Sequence, residues 1–361
     1  MAADQTPEPT PSEALRAQAR AALSQRQYAE AEALFAGAVE AEPASWGAWH
    51  DRGAVLKMVG KPAESEAALR KALALSPGNP RTRHALGVAL LSQGQYVEGW
   101  PLIDARHEVP QLQLPKATLP YPEWRGGEPA FTKLLIYPEQ GFGDVIQYAR
   151  LAPWLKARGV DVTLFTHPLL TRLMADSLGV RVIEAAGNVE FPVPDHWVMS
   201  GSLVGRCGLS LEAIPSAPYL SPPASAPKMG GGVGVVTRGR PEHPNDANRS
   251  LPADAAARLL ALPGARSLHP DDTGAVDFAD TAGFIASLDL VISVDTATAH
   301  LAAAMGKPTW ILLPAFMNDW RWMEGRADSP WYPTARLFRQ PGLDSGWDPV
   351  LDEVEAAVAA R

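Results

Sequence analysis

Beyond residue 130 the chain alternates short apolar runs with stretches of helical spacing. Leu134-Leu-Ile-Tyr and Val160-Asp-Val-Thr-Leu-Phe read as buried strands, and Val145, Ala149, Ala152 and Leu155 between them share one helix face, which predicts a β-α-β unit. Further strands are predicted over 232–237, 289–294 and 308–313, and residues 348–361 are helical in pattern. Two proline-rich stretches interrupt these elements. One carries Pro110, Pro115, Pro120, Pro122 and Pro129, reading as an ordered linker or strap; the other runs over 214–227 and separates two α/β lobes.

Before residue 111 the pattern is periodic. Gly53 recurs as Gly87, Gly60 as Gly94, Pro43 as Pro77 and Leu69 as Ile103, each 34 residues on. Carried back one unit, the register puts Ala31, Phe35, Ala38 and Pro43 at the small, aromatic, small and proline positions of a tetratricopeptide repeat. Three such helix pairs predict a stack with a concave groove. The expected organisation is therefore α + α/β: a disordered tail over 1–11, repeats over 12–110, a proline-rich linker over 111–130, and Rossmann-like lobes over 131–222 and 223–361.

Composition narrows the class. At 361 residues, with 46% hydrophobic and 20% charged residues, the chain is an ordinary globular protein of more than one domain. With 32 basic against 40 acidic residues and no basic run, nucleic acid is not expected as a partner. The single cysteine, Cys207, can form neither an internal disulfide nor a metal pair. The opening residues lack a signal-peptide pattern and no apolar run is long enough to span a bilayer, so a cytoplasmic protein is expected.

Ligands of open α/β sheets sit beyond the carboxyl ends of the strands. After the first strand comes Glu139-Gln140-Gly141-Phe142-Gly143-Asp144. Asp144 reads either as a helix N-cap or as a general base at an interlobe cleft. After the 289–294 strand, Asp295-Thr296-Ala297 opens a helix whose free amides suit a diphosphate. Asp295 fits a capping role or a sugar hydroxyl, and His300, one turn on, fits a satisfied core position as well as a catalytic one. After the 232–237 strand, which ends at Thr237, Arg238, Arg240 and Arg249 lie in one polar loop, reading as surface charge or as cations that neutralise a leaving nucleotide. No two aspartates are two residues apart, so the D-x-D pair that holds a divalent ion is missing, and neither metal nor cofactor is expected. Trp320, Trp322 and Trp331 cluster late in the chain, where they most simply pack the second lobe.

In the same order along the chain stand Glu139-Gln-Gly-Phe-Gly-Asp-Val-Ile-Gln, Arg249-Ser-Leu-Pro, Asp280-Thr-Ala, Ser293-Val-Asp-Thr-Ala-Thr-Ala-His-Leu, Gly306-Lys-Pro, Asp319-Trp-Arg-Trp and Ser329-Pro-Trp-Tyr-Pro. In these the chain resembles bacterial tetratricopeptide-repeat glycosyltransferases of the family 9-like type, relatives of lipopolysaccharide heptosyltransferases and, more distantly, of protein O-GlcNAc transferases. The resemblance implies a GT-B fold with the nucleotide-sugar donor held mainly by the second lobe. It maps the base to Asp144, a phosphate-binding cation to Arg249 and the helix terminus to Asp295 and Thr296. Two departures stand out: Thr237-Arg238-Gly239 where relatives often carry Trp-x-Gly, and Asp104-Ala-Arg106 where a Glu-Trp-Arg-like end is usual.

The expected function is thus inverting, metal-independent transfer of a sugar to an acceptor, with a protein such as flagellin or a surface protein recruited by the repeats. The alternative is a non-catalytic repeat scaffold whose α/β domain only binds the nucleotide sugar.

Overall fold

The computed structural model describes residues 8–114, 117–139, 141–190 and 192–361. They form two compact units. The first runs to Leu112 and takes in Phe316–Glu324; the second comprises Gln113–Ala315 and Gly325–Arg361.

The first unit is built of helical repeats. Its helices are α1 (Pro11–Ser24), α2 (Tyr28–Ala41), α3 (Trp46–Met58), α4 (Pro62–Leu75), α5 (Pro80–Leu91) and α6 (Tyr96–Ile103). Thr10 caps α1 in a reciprocal box with Glu13, so the tail expected to extend through residue 11 gives way to ordered structure by Thr10; residues 1–7 lie outside the described residues. Ser45 and Asn79 cap α3 and α5 through their side chains. The 34-residue period has a packing cause. A Cβ on Gly53 would meet Leu69 Cδ2 at 2.9 Å, and one on Gly87, a period later, would meet the Ile103 amide nitrogen at 3.0 Å. Each glycine thus lets the two helices of its repeat close on one another.

The second unit holds two sheets, parallel throughout. The first contains β1 (Lys133–Tyr137), β2 (Asp161–Thr166), β3 (Arg181–Glu184) and β4 (His196–Met199) in the order β3-β2-β1-β4. The second contains β5 (Val233–Val236), β6 (Ala265–Ser267), β7 (Leu290–Val294), β8 (Thr309–Leu313) and β9 (Ala335–Arg339) in the order β6-β5-β7-β8-β9. Around the first sheet lie α7 (Phe142–Ala149), α8 (Leu151–Lys156), α9 (Pro168–Leu178) and α10 (Leu203–Arg206). The later part of the chain adds α11 (Asp246–Arg249), α12 (Ala253–Leu260), α13 (Pro270–Thr273), α14 (Phe278–Ser287), α15 (Ala297–Ala304) and α16 (Asp348–Ala359). β7 and β8 are buried along their whole length, and Val235, Ile292, Leu312 and Phe338 join Leu351 and Val354 of α16 in one core.

The proline-rich stretch acts as a strap on the first sheet. The Trp124 amide donates to Trp197 O at 2.8 Å, and the Trp197 amide donates to Pro122 O at 3.1 Å, so edge strand β4 is covered by paired backbone. Pro115 and Lys116 lie outside the described residues.

Candidate functional site

The strand orders locate a crevice before any side chain is considered. In the first sheet the chain leaves β1 toward β2 and later returns on its other side at β4. In the second it leaves β5 toward β6 and returns at β7. Ligands bind at such switch points, beyond the carboxyl ends of the flanking strands. The segments that follow β1, β5 and β7 are the three singled out from sequence.

After β1, Gly141 is the N-cap of α7 and Asp144 stands at its third position. Asp144 is therefore not the N-cap, which corrects one of the two sequence readings; its carboxylate lies in the first turn, where the helix dipole favours negative charge. Glu139 is buried, and Gln140 lies outside the described residues. A Cβ on Gly143 would meet His300 Cδ2 at 2.9 Å and the Ala297 Cα at 3.7 Å. Glycine at this position is what allows the first turns of α7 and α15 to touch. Phe142, beside it, lies edge-on to His167 at 4.6 Å and Phe278 at 5.2 Å, with the Arg240 guanidinium 4.7 Å above its ring. Burial, with a smaller contribution from Arg240, lowers the His167 pKa. Nearby, Arg172 of α9 grips Asp277, the N-cap of α14, at 2.8 and 2.7 Å and also reaches Asp280.

After β7, Thr296 is the N-cap of α15 in extended conformation, and its hydroxyl meets Ser293 Oγ at 3.0 Å instead of capping the helix. Ala297 is the first helical residue, and Asp295 precedes the cap. His300 is buried; its Nδ1 meets Tyr332 Oη at 2.9 Å and its Nε2 lies 3.9 Å from Asp295 Oδ1.

The three arginines after β5, one group in the sequence, have different partners. Arg249 Nη1 donates to Asp295 O at 2.7 Å while its Nε holds Asp246 at 3.2 Å, so this cation sits against the opening of α15. Gly239 keeps that position open, because a Cβ there would run into Arg249 and Asp246. Arg240 goes to Phe142. Arg238 turns to His269 at 3.1 Å and Asp271 at 3.2 Å and stays more than half exposed. Arg238 and Thr237 line a cavity of about 310 Å³ with Ser267, His269, Asp272 and the α12 residues Ala253 and Ala257.

Sequence reasoning missed two residues that hold this region together. Arg150 follows α7 and is buried; it donates to Gln147 O at 2.9 Å, Pro215 O at 3.0 Å and Trp331 O at 2.7 Å. Its guanidinium lies over the rings of Tyr219, Trp331 and Tyr332 at 4.9, 5.2 and 4.7 Å. Tyr332, whose hydroxyl is pushed well above the usual phenol range by burial, meets both this cation and His300. Only Tyr332 had a sequence signal, the Ser329-Pro-Trp-Tyr-Pro motif. The tryptophan expectation needs correcting: Trp331 is buried in this unit, whereas Trp320 and Trp322 belong to the repeat unit. Trp320 packs on Tyr96 and Trp100, because the chain between β8 and β9 joins the repeats before returning.

Residues 266–312, covering β7 and the opening of α15, match the sequence model of Glycosyltransferase family 9 (heptosyltransferase). Protein FlbA of Caulobacter vibrioides is 26% identical over 354 residues, 82% of this chain; the chain spans 58% of that relative's length. Among solved structures, the Arabidopsis OM64 TPR domain is 22% identical, covering 28% of this chain and 84% of that one, with a TM-score of 0.26. The Sgt2 TPR domain from Aspergillus fumigatus is 23% identical, covering 28% and 67%, also with a TM-score of 0.26. Among the described residues no helix is long and apolar enough to cross a membrane. Helical repeats followed by two parallel sheets, with a stretch around β7 and α15 that matches the glycosyltransferase family 9 model, make the chain similar to repeat-containing glycosyltransferase family 9 proteins.

Proposed function

We propose that the second unit is an inverting, metal-independent glycosyltransferase of the GT-B type that takes its sugar from a nucleotide-sugar donor. The observation that carries this reading is the close approach of Gly143 to His300 and Ala297, which brings the helix turn bearing Asp144 against the helix terminus suited to a diphosphate. Asp144 takes the proton of the acceptor hydroxyl as that oxygen attacks the anomeric carbon. The bond to the nucleotide breaks, and the amides at Thr296 and Ala297 together with Arg249 stabilise the charge gathering on the departing diphosphate. Asp295 and His300 sit where sugar hydroxyls pass. The cavity beside Thr237 and Arg238 is available to the far end of the nucleotide. The acceptor is a protein recruited by the repeats, and the setting is cytoplasmic.

Purified full-length protein incubated with a panel of nucleotide sugars and cell lysate tests this. Transfer to a protein that survives EDTA and disappears in Asp144→Asn, with nucleotide affinity kept, is the expected result. Loss of a positioned base typically costs ~10²–10⁴ in rate. Nucleotide binding without turnover by the unaltered protein would favour the scaffold reading, and a strict need for a divalent cation would overturn the metal-independent mechanism.

A further inference from the structure

The repeat period lays out a face that the reaction does not use. Tyr28, Pro62 and Tyr96 stand 34 residues apart and open α2, α4 and α6, the second helix of each repeat. The segment Phe316–Glu324 of the same unit lies on it. Phe316 stacks on Tyr28 with ring centroids 4.1 Å apart and planes at 23°. Four residues on, Trp320 sits edge-on to Tyr96 at 6.1 Å and to Trp100 at 5.4 Å. Between these anchors the backbone itself is held: the Met317 amide donates to Met58 O at 2.8 Å, and Lys57 Nζ donates to Asn318 O at 2.9 Å. All three repeats therefore contribute to one extended contact.

The segment is also strained. Met317 and Met323 have φ of +53° and +52°, two of the four non-glycine residues with positive φ among those described. Such conformations are unfavourable for residues that carry a Cβ and persist only where the surroundings dictate them. Asn318 Nδ2 closes the loop on Met323 O at 3.1 Å, and Trp322 is fully buried.

We propose that this face is a peptide-recognition site whose ligand is the chain's own Phe316–Glu324. Recognition combines two aromatic anchors in an aromatic-x-x-x-aromatic pattern with capture of the main chain between them. The site is self-occupied, so any other peptide that uses the face must displace this segment. The proposal does not rest on the transfer reaction.

The test is a labelled peptide spanning residues 314–326, titrated into full-length protein and followed by fluorescence anisotropy. The native protein, its face filled, should take up little peptide. A full-length variant carrying Phe316→Ala and Trp320→Ala should bind the same peptide about tenfold or more tighter than the native protein does, a gain of at least ~1.4 kcal/mol. Adding Tyr96→Ala to that variant should remove the gain. Equal uptake by native and double-variant protein, or none by a double variant with native helical content, would overturn the proposal. If the double variant does not fold, hydrogen exchange on the single variant Tyr28→Ala decides. Faster exchange at the Met317 amide with the α3 and α5 amides unchanged supports the site, and unaltered Met317 protection refutes it.

Discussion

The Cβ that Gly143 lacks would fall 2.9 Å from Cδ2 of His300. This contact joins the segment after β1 to the helix after β7, and it tolerates no added methyl group without displacing the ring. Displacing the ring breaks its hydrogen bond to Tyr332. Gly143→Ala should therefore destabilise the protein by ~1–3 kcal/mol, the usual cost of overpacking. In the transferase reading it should also slow transfer more than it weakens donor binding. Urea denaturation and a comparison of kcat with nucleotide affinity check the two parts, and a variant as stable as the parent would show that the turns separate freely.

Which parts of this arrangement could be read from sequence follows from burial. The five strands recognised in advance, β1, β2, β5, β7 and β8, are all interior strands, whose apolar runs are continuous because both faces are covered. The four missed, β3, β4, β6 and β9, are all edges. In β3, β6 and β9 the residues Arg181, Glu184, Arg266 and Arg336 break the run, as edge strands require, while β4 is only four residues long and its edge is covered by the proline-rich strap. Loop residues after the interior strands were legible for the same reason, since strand ends fix where a ligand can lie. Arg150 was not, because a cation in a helical stretch looks solvated until Tyr219 and Tyr332 close over it from far along the chain. The placement of Trp320 on Tyr96 was equally hidden, being a contact more than 200 residues apart with no periodic signature.

Arg249 reaches the opening of α15 through Asp295 O and fixes itself on Asp246. Arg249→Met should weaken nucleoside diphosphate binding by ~1.5–3 kcal/mol, the range for a charge-assisted hydrogen bond. Arg249→Lys should recover only part of this, since an ammonium cannot span both partners. Calorimetric titration measures both. Unchanged affinity in the methionine variant would remove Arg249 from the donor site, and Arg238 would be the next cation to examine.

Arg150 makes a different prediction because its role is structural. Arg150→Met leaves the carbonyls of Pro215 and Trp331 without their donor inside the unit, and each buried acceptor left unsatisfied costs ~1–3 kcal/mol. The protein should unfold at markedly lower urea concentration. A loss below ~1 kcal/mol would mean that water replaces the guanidinium there.

Cys207 is the one thiol of the chain, and burial pushes its pKa up to about 12 against the opposing charge of Arg158. The thiolate, which is the reactive form, is then scarce near neutrality. Alkylation at pH 8 should run about three orders of magnitude slower than for a free cysteine with a pKa of ~8.5. Following iodoacetamide incorporation by mass checks this, and rapid labelling of the native protein would show the site opens readily.

The repeats should be acid-sensitive through His50 and His84, each with its pKa lowered to about 4, chiefly by burial. His50 meets Thr82 Oγ1 at 3.2 Å and feels Asp51 against Arg81 and Arg16; His84 feels Arg106 and His50 itself. In the unfolded chain both titrate near ~6.5. Above that value neither state binds the proton and the full stability is present. Below it the unfolded state takes up protons that the folded state refuses, so stability falls by ~1.4 kcal/mol per pH unit for each histidine, levelling near pH 4. Hydrogen exchange of the α3 and α5 amides in the full-length protein, compared between pH 7 and pH 5 after correction for intrinsic rates, reads this loss directly. Carboxylates titrating in the same window are common to parent and variant, so His84→Gln should halve the slope attributable to the pair. An unaltered slope would place the acid sensitivity elsewhere in the repeats.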